Sequence, residues 1–538
     1  ATTGQTLQAS YLGMLTQKVK IGNHSLTIVL KNDSRQIDEV VVTGYQNIRN
    51  RVYTGAATSV KMDDIKLEGI ADVSRMLEGR VPGLSIQNIS GTFGSAPRIN
   101  IRGGASIIGN VQPLWVIDGA IYEDLVHLSL DQLASGDAVT LISSAISGLN
   151  PTDIQDIQVL KDASATSVYG ARALNGVIVI TTKSGMRDTP LRVSYSTENT
   201  IRLKPRYNDF DLLNSQETMS LYQEMNDKGY FGITNSLYGR RSGIYYQLYK
   251  DLSTINPATG EYYLPNTPEA RMNFLRQREY ANTNWFDYLF TLKPITNHAI
   301  TISGGGKNSA TYASIGFYND AGWTIADKVS RFTANVKNTF YISDKFTATL
   351  TTQANVRSQK APGTMPQRKN NTLGVFERDF DINPFSYALG TSRTLRPYNE
   401  DGSLEYYRNN WAPFNIFNEY DNNKMNISVL DFKVQGEGTY RLNQDMAIKA
   451  LLSMRQAYTS TTHEVHEGSN IVQAFRANEN PFVAQQNIYL VRDTDNPQLQ
   501  PKVGLTHGGI LNKTEASLKS FSSLECTSVS PILISATI

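Results

Sequence analysis

The stretch "RFTANVKNTFYISDKFTATLTTQANV", Arg331 to Val356, reads as two long strands joined by a tight turn at Ser343, Asp344 and Lys345. Phe332, Ala334, Val336, Phe340 and Ile342 fall on one face of the first strand, and Arg331, Thr333, Asn335, Lys337 and Thr339 on the other. Past the turn, Phe346, Ala348, Leu350, Ala354 and Val356 alternate with Thr347, Thr349, Thr351, Gln353 and Asn355. A second hairpin repeats the pattern, with Phe432, Val434, Tyr440 and Leu442 before a turn at Asn443 to Asp445 and Met446, Ile448, Ala450, Leu452 and Met454 after it. Each strand has about a dozen residues, roughly twice the usual length. Long antiparallel hairpins with short turns at one end, long Asn- and Tyr-rich loops at the other and one apolar face fit a membrane-spanning β-barrel whose apolar face meets lipid. On periodicity alone, a large soluble sandwich or solenoid stays open.

The bulk properties agree with a folded chain of two or three domains: 538 residues, 40% hydrophobic and 19% charged. A net charge of +2 with no basic cluster gives no reason to expect nucleic acid. Cys526 is the only cysteine, so an intrachain disulfide and a cysteine zinc cluster are both excluded. The opening "ATTGQTLQASYLGMLTQ" has neither a basic nor an apolar signal region, and export stays open. Apolar runs such as "NGVIVITTK", Asn175 to Lys183, are too short for a membrane helix of about 18 residues, so any crossing is made by strands.

Upstream of the hairpins the character differs. "LQASYLG" and "SLTIVLK", with a Gly22-Asn23 turn before the second, read as the tail of a small β-sandwich over residues 1–34. A linker follows over 35–51 and contains "QIDEVVVTGYQ". The three valines form a short strand without a partner in the linker itself. Residues 52–187 read as a compact α+β domain: a helix near Val73 to Glu78, short strands in "GLSIQN", "RINIRGG" and "PLWVIDG", a helix capped by Asn150 with Pro151 at its first position, a strand "IQVL", a helix from Ala163 to Arg172 and a buried strand "GVIVITT". From 188 to 538 the strand pattern dominates.

The motifs "DEVVVTGY", "EGRVPGLSIQ", "RINIRGGASI", "PLWVIDG", "LNPTDIQDIQVLKDASATSVYGARALNGVIVITTKSG", "NTNWFDYLF" and "HAITISGGGKNSATYASIGFYNDAGW" stand in this order, and together they resemble the SusC/RagA-type TonB-linked outer membrane transporters. The resemblance covers Gln36 to about Asn338. It implies a plug domain inside a ~22-stranded barrel, preceded by a carboxypeptidase-regulatory-like sandwich. It implies as partners TonB with ExbB and ExbD, driven by the proton gradient, a SusD-like surface lipoprotein acting as a lid, and outer-membrane lipid. The segment Asp38, Glu39, Val40, Val41, Val42, Thr43 and Gly44 matches the TonB box, a strand added to the edge of TonB. The alternative is that Val40 to Val42 close the preceding sandwich. Within the implied plug, Arg102, Gly103, Asp118, Gly119, Lys161, Asp162, Tyr169, Gly170, Arg172, Asn175 and Gly176 form the structural motif. Asp118-Gly119 reads as a turn and Asp162 as the cap of the helix at Ala163, with a role in plug release as the alternative. Arg102 is expected to be buried against a carboxylate.

Motifs that suggest other chemistry do not hold. "GGGK" at Gly304 to Lys307 lacks the first glycine and the final Ser/Thr of a phosphate loop and reads as a hairpin turn. "HEVHE" at His463 to Glu467 spaces its histidines by three on a strand, which points them to opposite faces. No catalytic constellation, metal site or cofactor is indicated. The function implied is active import of a nutrient, an oligosaccharide or a peptide. A signalling receptor of the same architecture and a secreted glycan-binding or adhesin protein are the alternatives. Aromatic segments at Tyr238 to Tyr249, Glu405 to Phe414 and Asn383 to Phe385 are candidates to stack on sugars or line a peptide groove. Only about eight to ten candidate strands follow Pro190, and the tail after Ser522 lacks alternation, so a partial or frameshifted chain is expected.

Overall fold

The computed structural model describes residues 57–87 (without 68 and 71), 97–101, 112–122, 146–230 (without 147), 243–363, 367–370, 375–378, 382–409, 412–443 and 447–478, together with short strand segments at 6–9, 17–20, 40–42, 47–49, 506–507 and 535–537. Two bodies dominate: a small mixed sheet and a large antiparallel one.

The small sheet is built from β1 (Ala57–Lys61), β2 (Leu114–Ile117), β3 (Ala120–Tyr122), β4 (Ile154–Leu160) and β5 (Val177–Thr182), in the order β1-β4-β5-β2-β3. The β5–β2 pair is parallel and the rest antiparallel. The continuous apolar runs of β4 and β5 are explained by their central place, since helices and loops cover both sheet faces. One face packs Ile157, Val159 and Ile178 against Val73, Met76 and Leu77, and the other packs Leu160, Val177 and Val179 against Ala165, Tyr169 and Ala173.

Local sequence signals account for the connections. Asn150 Oδ1 accepts from Thr152 N at 3.1 Å and Pro151 opens the turn, as expected, but the helix is a single 3-10 turn, Pro151–Asp153. The expected helix from Ala163 to Arg172 is broken: one α-turn, Ala163–Thr166, gives way to a 3-10 segment, Ser167–Ala173, in which Gly170 takes φ 61. Only glycine adopts that backbone without strain. Asp162 stands at the cap position, yet its side chain does not cap. Ala165 N and Thr166 N donate instead to its carbonyl, each at 3.0 Å.

The large sheet carries seven long strands: β6 (Thr189–Ile201), β7 (Pro294–Gly305), β8 (Ser309–Asp320), β9 (Lys328–Tyr341), β10 (Phe346–Pro362), β11 (Asn423–Arg441) and β12 (Ala447–Val465). Each pairs antiparallel with the next, and the short segments Thr506–His507 and Ser535–Thr537 pair with opposite ends of β12. The sheet does not close among the described residues. Its polarity is inverted relative to a water-soluble protein. Phe332, Val336, Leu350, Phe432 and Met454 are exposed, whereas Arg331, Asn335, Arg357, Lys433 and Arg455 are buried. Polar groups seek burial only where the buried side is itself polar, and exposed apolar rows make sense only against hydrocarbon. The alternation read from Arg331 to Val356 therefore holds, including Lys337 and Thr349 on the inward face. No described helix is long and apolar enough to cross a membrane.

The ends differ as expected for such a wall. Turns at 306–308 and 342–345 are tight, and "GGGK" contributes to the first of them. The opposite ends carry the described parts of 202–293 and 363–422, in which Trp285, Phe286, Phe290, Tyr387 and Phe414 form a common aromatic core. Near the N-terminus, Thr6–Ala9 pairs with Gln17–Lys20; the expected partner strand, 25–31, lies outside the described residues.

Candidate functional site

The small sheet sits against the polar face of the large one, and the β2–β3 hairpin makes the closest polar contacts. Its two-residue turn, Asp118-Gly119, has φ of 51 and 83, the left-handed pair that joins twisted strands tightly and that Asp-Gly tolerates. The turn expected from sequence is present, and it does more than reverse the chain. Asp118 Oδ1 accepts from Thr182 N at 2.9 Å and lies 3.3 Å from Lys337 Nζ on β9. Lys337 Nζ also reaches Thr182 Oγ1 at 3.2 Å. Gln435 Nε2 on β11 donates to the Asp118 carbonyl at 2.7 Å. Burial pushes the Asp118 carboxyl up, but Lys337, Lys433 and the two Thr182 hydrogen bonds outweigh it and hold the group below the usual carboxylate range.

Four residues along, Tyr122 enters the wall. Its hydroxyl donates to Gln353 Oε1 at 3.1 Å, and the Arg455 guanidinium lies 4.2 Å from its ring centroid. Arg455 is itself held by Asp431 through two hydrogen bonds of 3.0 and 2.9 Å. A third contact comes from the turn before β4: Tyr312 Oη donates to Asp153 Oδ1 at 2.9 Å, and Arg331 Nη1 donates to the Leu149 carbonyl at 3.2 Å. Burial raises the Asp153 carboxyl. At the strand ends Lys66 pairs with Glu198.

This contact is tight in places and wet in others. A Cβ on Gly148 would lie 3.3 Å from that of Asn355. Beside it, a cavity of about 30 Å³ is lined by Tyr122, Asp153, Asn335, Gln353 and Lys433. Among the described residues Lys433 Nζ and the Asn335 amide have no hydrogen-bond partner. Such groups are costly unless hydrated, and the cavity has room for water. The interface is thus a set of discrete polar struts, unlike the dry apolar cores on either face of the plug sheet.

The sequence-predicted residues divide. Asp118 and Gly119 are in the interface. Lys161 Nζ serves the small domain internally, reaching Thr58 Oγ1 at 2.7 Å. Tyr169 is buried within the domain, Arg172 is exposed, and Gly176, at φ 88, leaves no room for a Cβ beside Ile101. Arg102 and Gly103 lie outside the described residues, as do Asp38, Glu39, Thr43 and Gly44. Val40–Val42 pair with Asn47–Arg49 in a two-stranded ribbon, so the valine strand has a partner on one edge within the linker itself. His463 Nε2 lies 2.5 Å from Asn423 Oδ1, while His466 Nε2 is 3.6 Å from Glu464. Asp431, Gln435, Arg455, Tyr122 and Tyr312 were not singled out from sequence, and Gln353 was read only as part of a polar row. For the wall residues the signal was there in part, as polar residues alternating with the apolar rows, but the plug groups they face lie far away in sequence.

Known proteins place this geometry. Residues 49–177 match the family model for the TonB-dependent Receptor Plug Domain. The chain is similar to TonB-dependent receptor SusC of Bacteroides thetaiotaomicron, with 31% identity over 62% of this chain and 28% of that protein. It is similar to TonB-dependent receptor P26 of Formosa agariphila, with 26% identity over 82% of this chain and 36% of that one. The chain therefore spans about a third of the length of these relatives. Among solved structures it resembles the RagAB peptide importer in the "open-open" state, with a TM-score of 0.56 and 21% identity over 79% of this chain and 43% of that one, a likeness of fold. With this domain seated on the polar face of an antiparallel wall whose outward rows are apolar, the chain carries a TonB-dependent receptor plug domain over residues 49–177 and is similar to the SusC/RagA-type TonB-dependent receptors.

Proposed function

We propose that this protein imports a nutrient, an oligosaccharide or a peptide, across the outer membrane with energy delivered through TonB, and that a SusD-like lipoprotein covers its outer face. The observation that carries the reading is the plug held to the lumen wall by separable polar struts, Asp118 with Lys337 and Gln435, and Tyr122 with Gln353. Such an arrangement blocks the lumen at rest and parts without exposing a large apolar core. The edge position of β1 supports the same reading. Among the described residues it is the first plug strand after the valine segment and pairs with β4 alone, so tension on the linker would reach the plug where one strand can peel away.

Asp38 to Gly44 is assigned as the TonB box. The valine ribbon has one edge taken by Asn47–Arg49, and the other edge is the one that would accept a TonB strand. Val41→Pro removes a ladder donor and restricts the preceding residue while leaving the plug intact. The expected result is loss of uptake of the transported nutrient with an unchanged amount of receptor in the outer membrane. Undiminished uptake by this variant would remove the box assignment.

A further inference from the structure

The outward rows of the wall mark the height at which lipid ends, and the rim just beyond them is basic. Phe317, Phe332, Val356, Leu430 and Tyr458 lie side by side across β8 to β12, all exposed, as the last apolar row before the loop-bearing end. From Phe332 to Ile342 the outward face of β9 is largely apolar. That span is about 33 Å along the strand and about 25 Å in height once the strand tilts by about 40°, the height of a lipid-facing band.

The next row toward the loops is small and polar: Asn319, Ser330, Ser358, Ser428 and Ser460. Beyond it the same face carries Lys328 on β9, Lys360 on β10 and Lys424 on β11, all exposed. Lys328 and Lys360 are direct cross-strand partners, and Lys424 stands two residues from Asn426, the partner of Lys360. Like charges set directly opposite each other work against strand pairing, and an anion between them reverses the sign. The carboxylate nearest in register is Glu464, opposite Lys424, and it is shared with Asn426 Nδ2 at 3.3 Å and His466 Nε2 at 3.6 Å. Three ammonium groups thus meet one engaged carboxylate on this face.

We infer that Lys328, Lys360 and Lys424 form a site for the phosphate of a membrane-lipid headgroup. Their height decides the ligand. Lys328 lies four residues beyond Phe332, about 13 Å along the strand and about 10 Å above the last apolar row. Lysine stems bend back toward the interface, which brings the charges to the headgroup layer. A lipid whose acyl chains lie on Phe332, Val356 and Leu430 therefore presents its phosphate to the lysines without leaving the bilayer, and the two contacts are continuous. Phosphate oxygens offset the repulsion between Lys328 and Lys360, and the hydroxyls of Ser330 and Ser358 stand on the path between band and lysines as further donors. A soluble phosphate gains the charges alone and forgoes the apolar contact. The site rests on the outward rows meeting lipid and goes beyond import, since it requires neither cargo nor TonB.

The test is native mass spectrometry of the receptor purified in a neutral detergent, after addition of phosphorylated lipid A, of the same lipid after dephosphorylation, or of the phosphorylated lipid with millimolar inorganic phosphate. The phosphorylated lipid should bind at least tenfold more tightly than the dephosphorylated one and should resist inorganic phosphate. Lys328→Gln combined with Lys360→Gln and Lys424→Gln should weaken it at least tenfold with heat-modifiable migration in gels unchanged, whereas Lys307→Gln with Lys345→Gln, in the turns of the opposite rim, should bind as the parent does. If the triple variant fails to fold, Lys360→Gln alone carries the comparison, and Lys360→Arg should retain binding. Equal retention of the two lipids, displacement by inorganic phosphate, or an affinity indifferent to loss of these lysines would overturn the inference. The Val41→Pro receptor should hold the lipid as the parent does, so failure of import and failure of lipid binding are read independently.

Discussion

Lys337 Nζ, on the wall, stands 3.3 Å from Asp118 Oδ1, on the plug, across 219 residues of chain, and both side chains are largely withdrawn from solvent. Removing one partner of such a pair leaves a buried charge without its counterion, which costs on the order of 3–5 kcal/mol. Asp118→Asn should therefore loosen the plug while leaving the wall intact. The expected outcome is increased entry of an antibiotic normally excluded by the outer membrane, with an unchanged receptor level. Because the folded Asp118 carboxyl is held below its usual range, the stability it contributes is present above the unfolded pKa and is lost as pH falls through the folded one. Acid should loosen the parent plug and make less difference to the variant.

The inverted polarity of the wall gives a second prediction. Val336→Arg places a charge on the lipid-facing row and should cost about 2–4 kcal/mol near the midplane, while Thr349→Arg on the inward face should cost much less. Urea titration of the heat-modifiable band measures both. Equal tolerance would contradict the assignment of faces.

The loops supply a third prediction. Glu419 is buried at the start of the chain's approach to β11, where Oε1 accepts from Asn470 N at 2.7 Å and ties two loops together. Burial, against the hydrogen bonds from Asn470 and Asn418, pushes its carboxyl up to about 7. A raised carboxyl pKa means that the folded state binds more protons between the two values. The stability it contributes is therefore fully present below the unfolded pKa and lost as pH rises through about 7. The loss is at most about 3 kcal/mol. Glu419→Gln should flatten this dependence and make the loops harder to cut at pH 8, as read by proteolysis of intact cells at pH 6 and pH 8.

How far the sequence carried the reading depends on the range of the signal. The two faces of β9 and β10 were legible because alternation is a local property of extended chain. The Asp118-Gly119 turn was legible because few residue pairs take that backbone. Asn383 before Pro384 carries a cap signature, and its Oδ1 does accept from Phe385 N at 3.0 Å. Phe385 of that segment packs edge-on against Phe210 and Phe290 and stays partly exposed. What sequence could not give was the meeting of Lys337 with Asp118, or of Tyr246 with Arg408. Nothing in either neighbourhood encodes a partner more than a hundred residues away.

Gly148 and Asn355 offer the most direct test of the central claim, that import requires the plug to part from this wall. A Cβ on Gly148 would stand 3.3 Å from that of Asn355, close to the separation found across disulfides. With Cys526 the only native cysteine, Gly148→Cys with Asn355→Cys can be oxidised selectively. The measurement is nutrient uptake by cells carrying the double variant, before and after reductant, against each single variant. The account predicts uptake lost in the oxidised double variant, restored by reductant and normal in both singles. Uptake by the oxidised, cross-linked receptor at the rate of the reduced one would contradict it.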